Sequence, residues 1–223
     1  MGHSKQSSAG LATPGGVASA DATRAGPRAR RLAHIISLVC LPPLLAIATL
    51  VALCSHAIPD PAEAARVALV SSLFIAVGPS AYVAYLLKRH KIDGGVDLEN
   101  REERLRPYLV GAGSCALGLV VLVRLSAPRS VTALALSYAT NALVLAVITQ
   151  RWKISAHAAG AAMPLTALLS AFGTSALPLA VIVPVVCWAR VKAQMHTVAQ
   201  VCAGALLGFL LTWTQLALLA PHF

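Results

Sequence analysis

The sequence predicts an all-α, polytopic transmembrane helical bundle of six to seven spans, and three observations carry that prediction. Hydrophobic residues make up 57% of the 223 residues while charged ones make up 12%, and the mean hydropathy is +0.74. Several charge-free runs reach the ~20 residues that a helix needs to cross a hydrocarbon core of ~30 Å. Lys and Arg gather at the ends of those runs, as they do beside membrane spans. The ~10-residue alternation of a membrane barrel is not seen.

Taken in order, residues 1–30 are rich in Ser, Ala and Gly and carry Arg24, Arg28 and Arg30, which predicts a disordered basic tail. The apolar run behind it is too long for a signal peptide and has no clear small-residue cleavage site. Gln6 stands where an N-myristoylation signal needs Ser or Thr. Residues 31–223 form the transmembrane domain. Segments 33–56, 67–87, 130–150 and 197–220 each suffice to cross a bilayer; 108–123, 158–173 and 176–189 are shorter candidates. Loops fall near 57–66, 88–107, 124–129, 150–157, 173–176 and 190–196.

Alternate loops share a membrane face, so 88–107, 150–157 and 190–196 lie together with the amino terminus. That face holds most of the cations, whereas Asp60 and Glu63 lie opposite, together with Arg124 and Arg129. The bias of positive loops toward the inside makes it cytoplasmic, in a multi-pass protein of the cell membrane. A net charge of +10 also raises nucleic acid as a partner. The cations sit at helix ends, however, where they contact anionic lipid, so the partner is the bilayer and not nucleic acid. The five cysteines all fall inside apolar segments without Cys-x-x-Cys spacing and read as small packing residues.

Three polar constellations fall in the loops that share a face. In the first, Asp97 to Tyr108, Arg101 and Arg104 are three apart and so share one side of a helix, while Pro107 suits a first helical turn. They form either a guanidinium clamp for phosphate oxygens or a solvated, charge-mixed anchor. In the second, Ser155 caps the helix that carries His157, with Lys153 just before it and Gly160 allowing close packing. Exposed N–H groups there favour an anion; the plain alternative is an interfacial histidine. In the third, Arg190 and His196 flank the turn into the last span, and Gln200 lies one turn beyond His196. Gln200 can accept a hydrogen bond from one imidazole nitrogen and leave the other open. The alternative is a snorkelling arginine beside a boundary histidine, but polar groups clustered on one face at membrane depth favour function.

Together these motifs resemble the type 2 phosphatidic acid phosphatase superfamily, integral-membrane lipid phosphatases related to vanadium haloperoxidases. That family carries Lys, six residues, Arg-Pro; then Pro-Ser-Gly-His; then Ser-Arg, five residues, His, three residues, Asp. This chain offers Arg106-Pro107, then Ile154-Ser155-Ala156-His157, then Ala189-Arg190, five residues, His196, three residues, Gln200, over roughly residues 97–208. The Arg-to-His spacing of the last motif is its most specific part. The resemblance implies that His196 is the nucleophile forming a phosphohistidine and that His157 protonates the leaving oxygen. It implies that Arg106 and Arg190, with Ser155, hold the phosphoryl oxygens, and that neither metal nor cofactor is needed. The substrate implied is a lipid phosphate or diphosphate, prenyl or phosphatidyl. Glu99 stands where the motif has Lys, leaving Lys153, Arg101 or Arg104 to supply that cation; Ala189 replaces the motif Ser, and Gln200 replaces the Asp. A neutral amide fixes a tautomer but cannot stabilise an imidazolium by charge.

The alternative is a catalytically silent, lipid-phosphate-binding member of the same fold, motivated by Gln200. A magnesium-dependent phosphotransferase would need clustered aspartates, and only Asp93 and Asp97 are candidates. A transporter would show paired broken helices or a repeat, and neither is evident.

Overall fold

The computed structural model describes residues 26–91 and 101–220, and among them every regular element is helical. In chain order these are α1 (Pro27–Val39), α2 (Pro42–Ala57), α3 (Pro61–Ser72), α4 (Gly78–Lys88), α5 (Leu105–Arg124), α6 (Arg129–Thr149), α7 (Ala156–Phe172), α8 (Ile182–Lys192) and α9 (Val198–Leu219). Five helical segments are long and apolar enough to cross a membrane, or six if the bent α1–α2 pair is one span. The chain is a multi-pass membrane protein built as a helical bundle.

Proline punctuation corrects the sequence reading at the amino-terminal end. The expected single span 33–56 is two helices bent by 42°. Leu41 is extended (φ −57°, ψ 134°) because it precedes Pro42, and Pro42 opens α2 at the position where a missing N–H costs least. Pro27 opens α1 in the same way, so residues 27–30, expected in the disordered tail, are helical. The tail up to residue 25 lies outside the described residues. The expected loop 57–66 is also shorter. Asp60 accepts from the N–H groups of Ala62 and Glu63, Pro61 takes the first helical position, and α3 is under way before Glu63 pairs with Arg66 at 2.7 Å.

Between α3 and α4 the helix widens into a π-turn over Leu73–Val77 without ending. The Phe74 carbonyl there accepts a hydrogen bond from the Ser114 hydroxyl of α5 at 2.6 Å, so the departure from α geometry leaves that oxygen satisfied.

The segment Ala156–Lys192 covers 37 residues of nearly continuous helical backbone. As one straight helix it would separate its ends by about 55 Å. Instead both ends meet. Arg190, near the end of α8, belongs to the same electrostatic cluster as Lys153, just before α7. The chain therefore doubles back through the 3₁₀ stretch Gly173–Val181, where Gly173 takes φ +57° at the turn out of α7. The short candidates 158–173 and 176–189 are the two limbs of this hairpin.

At the centre is α7, with Ala158, Ala159, Ala161, Ala162, Met163 and Ala167 all buried. It packs most extensively against α9, and two glycines explain how. A Cβ on Gly204 would stand 2.3 Å from the Ser155 carbonyl oxygen, and one on Gly208 would stand 2.5 Å from that of Ala159. Backbone meets backbone along that seam, as small residues permit between membrane helices. The separation of Ser155 from the start of α9 is therefore set by main-chain contact.

Candidate active site

Three helix ends at this face, the starts of α7 and α9 and the end of α8, are closed by local hydrogen-bonding devices that leave a polar side chain in a fixed place. Ser155 is the N-cap of α7, its hydroxyl accepting from the Ala158 N–H at 3.3 Å, and it is fully buried. Thr197 caps α9 in a reciprocal box: its hydroxyl accepts from the Gln200 N–H at 3.3 Å, and the Gln200 Oε1 accepts from the Thr197 N–H at 3.0 Å. The end of α8 is a Schellman turn, with Met195 N–H donating to the Arg190 carbonyl (3.1 Å) and Gln194 N–H to that of Val191 (3.0 Å). Gln194 takes the left-handed conformation there, at φ 60°. His196 N–H donates to the Arg190 carbonyl as well, at 3.3 Å, which delivers the imidazole between the two helices.

The capping box decides the tautomer of His196. Its Nδ1 lies 3.2 Å from Gln200 Oε1, the same oxygen that accepts from Thr197. Since that atom is an acceptor, Nδ1 carries the proton and Nε2 keeps its lone pair. His196 is 7% exposed. Its pKa falls from 6.5 to about 3, first because burial disfavours the imidazolium and then because Arg104, Arg190 and Lys153 repel it; the Gln200 hydrogen bond pulls the other way. A neutral imidazole with an open nitrogen thus sits among three cations.

That depression has a consequence for stability. Well above pH 6.5 His196 is neutral in both folded and unfolded chain and adds no pH dependence. As pH falls from 6.5 toward 3 the unfolded chain binds a proton that the folded one refuses, so stability is lost over that window. The thermal midpoint of the detergent-solubilised protein is expected to drop on acidification, and His196→Gln is expected to drop less. Parallel melting curves at pH 7 and pH 5 check this.

Three segments expected to converge do so. The Arg104 guanidinium donates to the Ile154 carbonyl at 3.1 Å, joining the start of α5 to the loop before α7. Ser155 N–H donates to the Gln200 carbonyl at 3.2 Å, joining that loop to α9. Arg104 and Arg190 are 2% and 1% exposed, so the two guanidiniums belong to the interior of the site. Lys153 is half-buried at its edge.

Arg106 is the exception among the expected phosphate ligands: it is exposed. The buried face of α5 runs through Pro107, Gly111, Cys115, Gly118 and Leu122, and Arg104 continues that stripe back by one turn. Arg106 lies two residues from it, about 200° round the helix, and points away. Arg104, not Arg106, belongs to the buried cation cluster around His196. Arg101 begins the 3₁₀ turn Arg101–Arg104, but its side chain, like Glu99, lies outside the described residues.

Sequence reasoning missed Tyr108, one turn beyond Arg104 and interacting with its guanidinium. Tyr108 also lines a cavity of about 330 Å³ that runs into the bundle between α2, α4, α5, α6 and α7. His157, 8% exposed, lines the same cavity with Pro107, Gly160 and Met163. Tyr108 thereby links the cation cluster to an apolar chamber, and His157 stands at the chamber's polar edge. Among the described residues no group of three His, Cys, Asp or Glu side chains is placed to share a metal ion. No family model, curated protein or solved structure matches the chain.

Proposed function

We propose that the chain is a membrane phosphatase that hydrolyses a lipid phosphate or diphosphate through a phosphohistidine, without a metal. The observation that carries this reading is His196: neutral, held by Gln200 as the Nδ1–H tautomer, and enclosed by Arg104, Arg190 and Lys153. Such a site attracts a dianionic phosphate and presents it to an unprotonated nitrogen. In the proposed reaction Nε2 of His196 attacks phosphorus, and the bond from phosphorus to the lipid oxygen breaks. His157 gives that oxygen its proton. Arg104, in place of Arg106, and Arg190 take up charge on the equatorial oxygens with Ser155, and water then cleaves the N–P bond. The adjoining apolar chamber suits a lipid tail. On the cation-rich, cytoplasmic face of a cell membrane the substrate is one made inside the cell, such as a prenyl diphosphate, a polyprenyl-linked phosphate or a phosphatidyl phosphate.

The neutral Gln200 favours a second reading, a silent member that binds lipid phosphate without hydrolysing it. Gln200→Asp separates the two. A carboxylate there would stabilise the imidazolium form and raise the pH optimum. For an active phosphatase, the wild type releases phosphate readily and Gln200→Asp changes kcat by about tenfold or less, about 1.4 kcal/mol. For a silent protein the wild type is inert and the aspartate creates activity. Phosphate release from both proteins in one detergent preparation decides.

A further inference from the structure

The chamber beside His157 holds two polar groups that the proposed chemistry does not use. Tyr138 and Asn141 lie three apart on the same face of α6, and both line it. Asn141 is 2% exposed. Its amide N–H donates to the Ser137 carbonyl at 2.9 Å, which fixes the amide's orientation and leaves Oδ1 as the remaining acceptor. The nearby Ser137, Thr140 and Gln215 side chains satisfy one another: the Ser137 hydroxyl donates to Gln215 Oε1 at 2.9 Å, and Gln215 Nε2 donates to the Thr140 hydroxyl at 2.8 Å. Among the described residues neither Asn141 Oδ1 nor the Tyr138 hydroxyl has a hydrogen-bond partner, and both atoms are buried. The Tyr138 hydroxyl lies close to Cys115, itself in the chamber wall. Hydrophobic chains alone would leave both buried groups unsatisfied, which is unfavourable.

We propose that Asn141 and Tyr138 form a polar subsite at the inner end of the chamber that recognises a hydroxyl on the chain of the phosphate-bearing lipid. A hydroxyl fits because it both donates and accepts: its hydrogen goes to Asn141 Oδ1, and its oxygen accepts from Tyr138. An ester carbonyl or a plain alkyl chain would leave Asn141 unsatisfied. Asn141 lies about 12 Å along α6 from the Thr149 end that faces the cation cluster, so the hydroxyl sits well down the chain and not beside the headgroup. The inference rests on the phosphate-site reading of His196, Arg104 and Arg190 and specifies what kind of lipid that site takes.

The test uses non-hydrolysable alkyl phosphonates of graded chain length, each ending in either a methyl or a hydroxyl group, bound to the full chain in detergent. Wild type is expected to bind one or two hydroxyl-ended lengths about tenfold or more tightly than their methyl-ended counterparts. Tyr138→Phe and Asn141→Leu are expected to erase that preference while keeping affinity for the methyl series. Equal binding of the two series by wild type at every length, or a preference that survives both substitutions, overturns the proposal. Release of phosphate from a short-chain phosphate, measured in the same proteins, reports on the head-group site separately. Variants that lose chain discrimination but still hydrolyse the short substrate place the effect in the chamber alone.

Discussion

Replacing His196 with alanine is expected to abolish phosphate release, by about 10⁴-fold or more, the scale on which removing an attacking group acts. The loss should exceed that at any other position, since His196 carries the unprotonated nitrogen that Gln200 positions within the cation cluster. The measurement is phosphate release in detergent with EDTA present, from prenyl diphosphates, phosphatidate and phosphatidylglycerol phosphate. Size-exclusion profiles confirm that the variant is folded. Release that survives the substitution would remove His196 from the mechanism; a folded wild type inert on every substrate would leave only the binding reading. Insensitivity to EDTA is part of the expected result.

The second large effect distinguishes two arginines that the motif match alone confuses. Arg104→Ala is expected to lower kcat/KM by about 10²–10³-fold, the usual loss when a preorganised donor to developing charge is removed. Arg106→Ala, on the exposed side of α5, is expected to change it by less than about threefold, within the range of an exposed charge. Equal and large losses at both positions would mean that α5 rotates when substrate binds. A large loss at Arg106 alone would restore the motif's own assignment.

These two arginines also show where a sequence is legible and where it is not. The motif match places function at Arg106 because it precedes Pro107, and a motif match reports neighbours in the chain. Burial follows helical phase. Counting back from Gly111 and Cys115 by turns of α5 reaches Arg104, and that signal was present in the sequence. The Ser155 cap, the Gln200–His196 pair and the convergence of the three loops were all readable, since each depends on spacing within one helix or on counting segments. The division of the first span at Pro42 was readable too, from the Pro-Pro pair, but hydropathy averages over it. The chamber was not readable. It is a gap between five helices, and its polar inner end is an Asn and a Tyr in an otherwise apolar span, whose meaning depends on which neighbours already satisfy them. A lone asparagine at membrane depth was the available warning.

The connection between α8 and α9 bears on how this chain can vary. The N–H groups of Ala193, Gln194, Met195 and His196 all donate back to α8, and that of Thr197 donates forward to Gln200. Loops ordinarily absorb insertions and deletions because their backbone can rearrange toward water. Here no link has slack: one added residue would displace His196 from Gln200 or pull Arg190 out of the cluster. At Ala193, Gln194 and Met195 residues can be exchanged in identity, but the number of residues between Arg190 and His196 is held constant by the backbone itself.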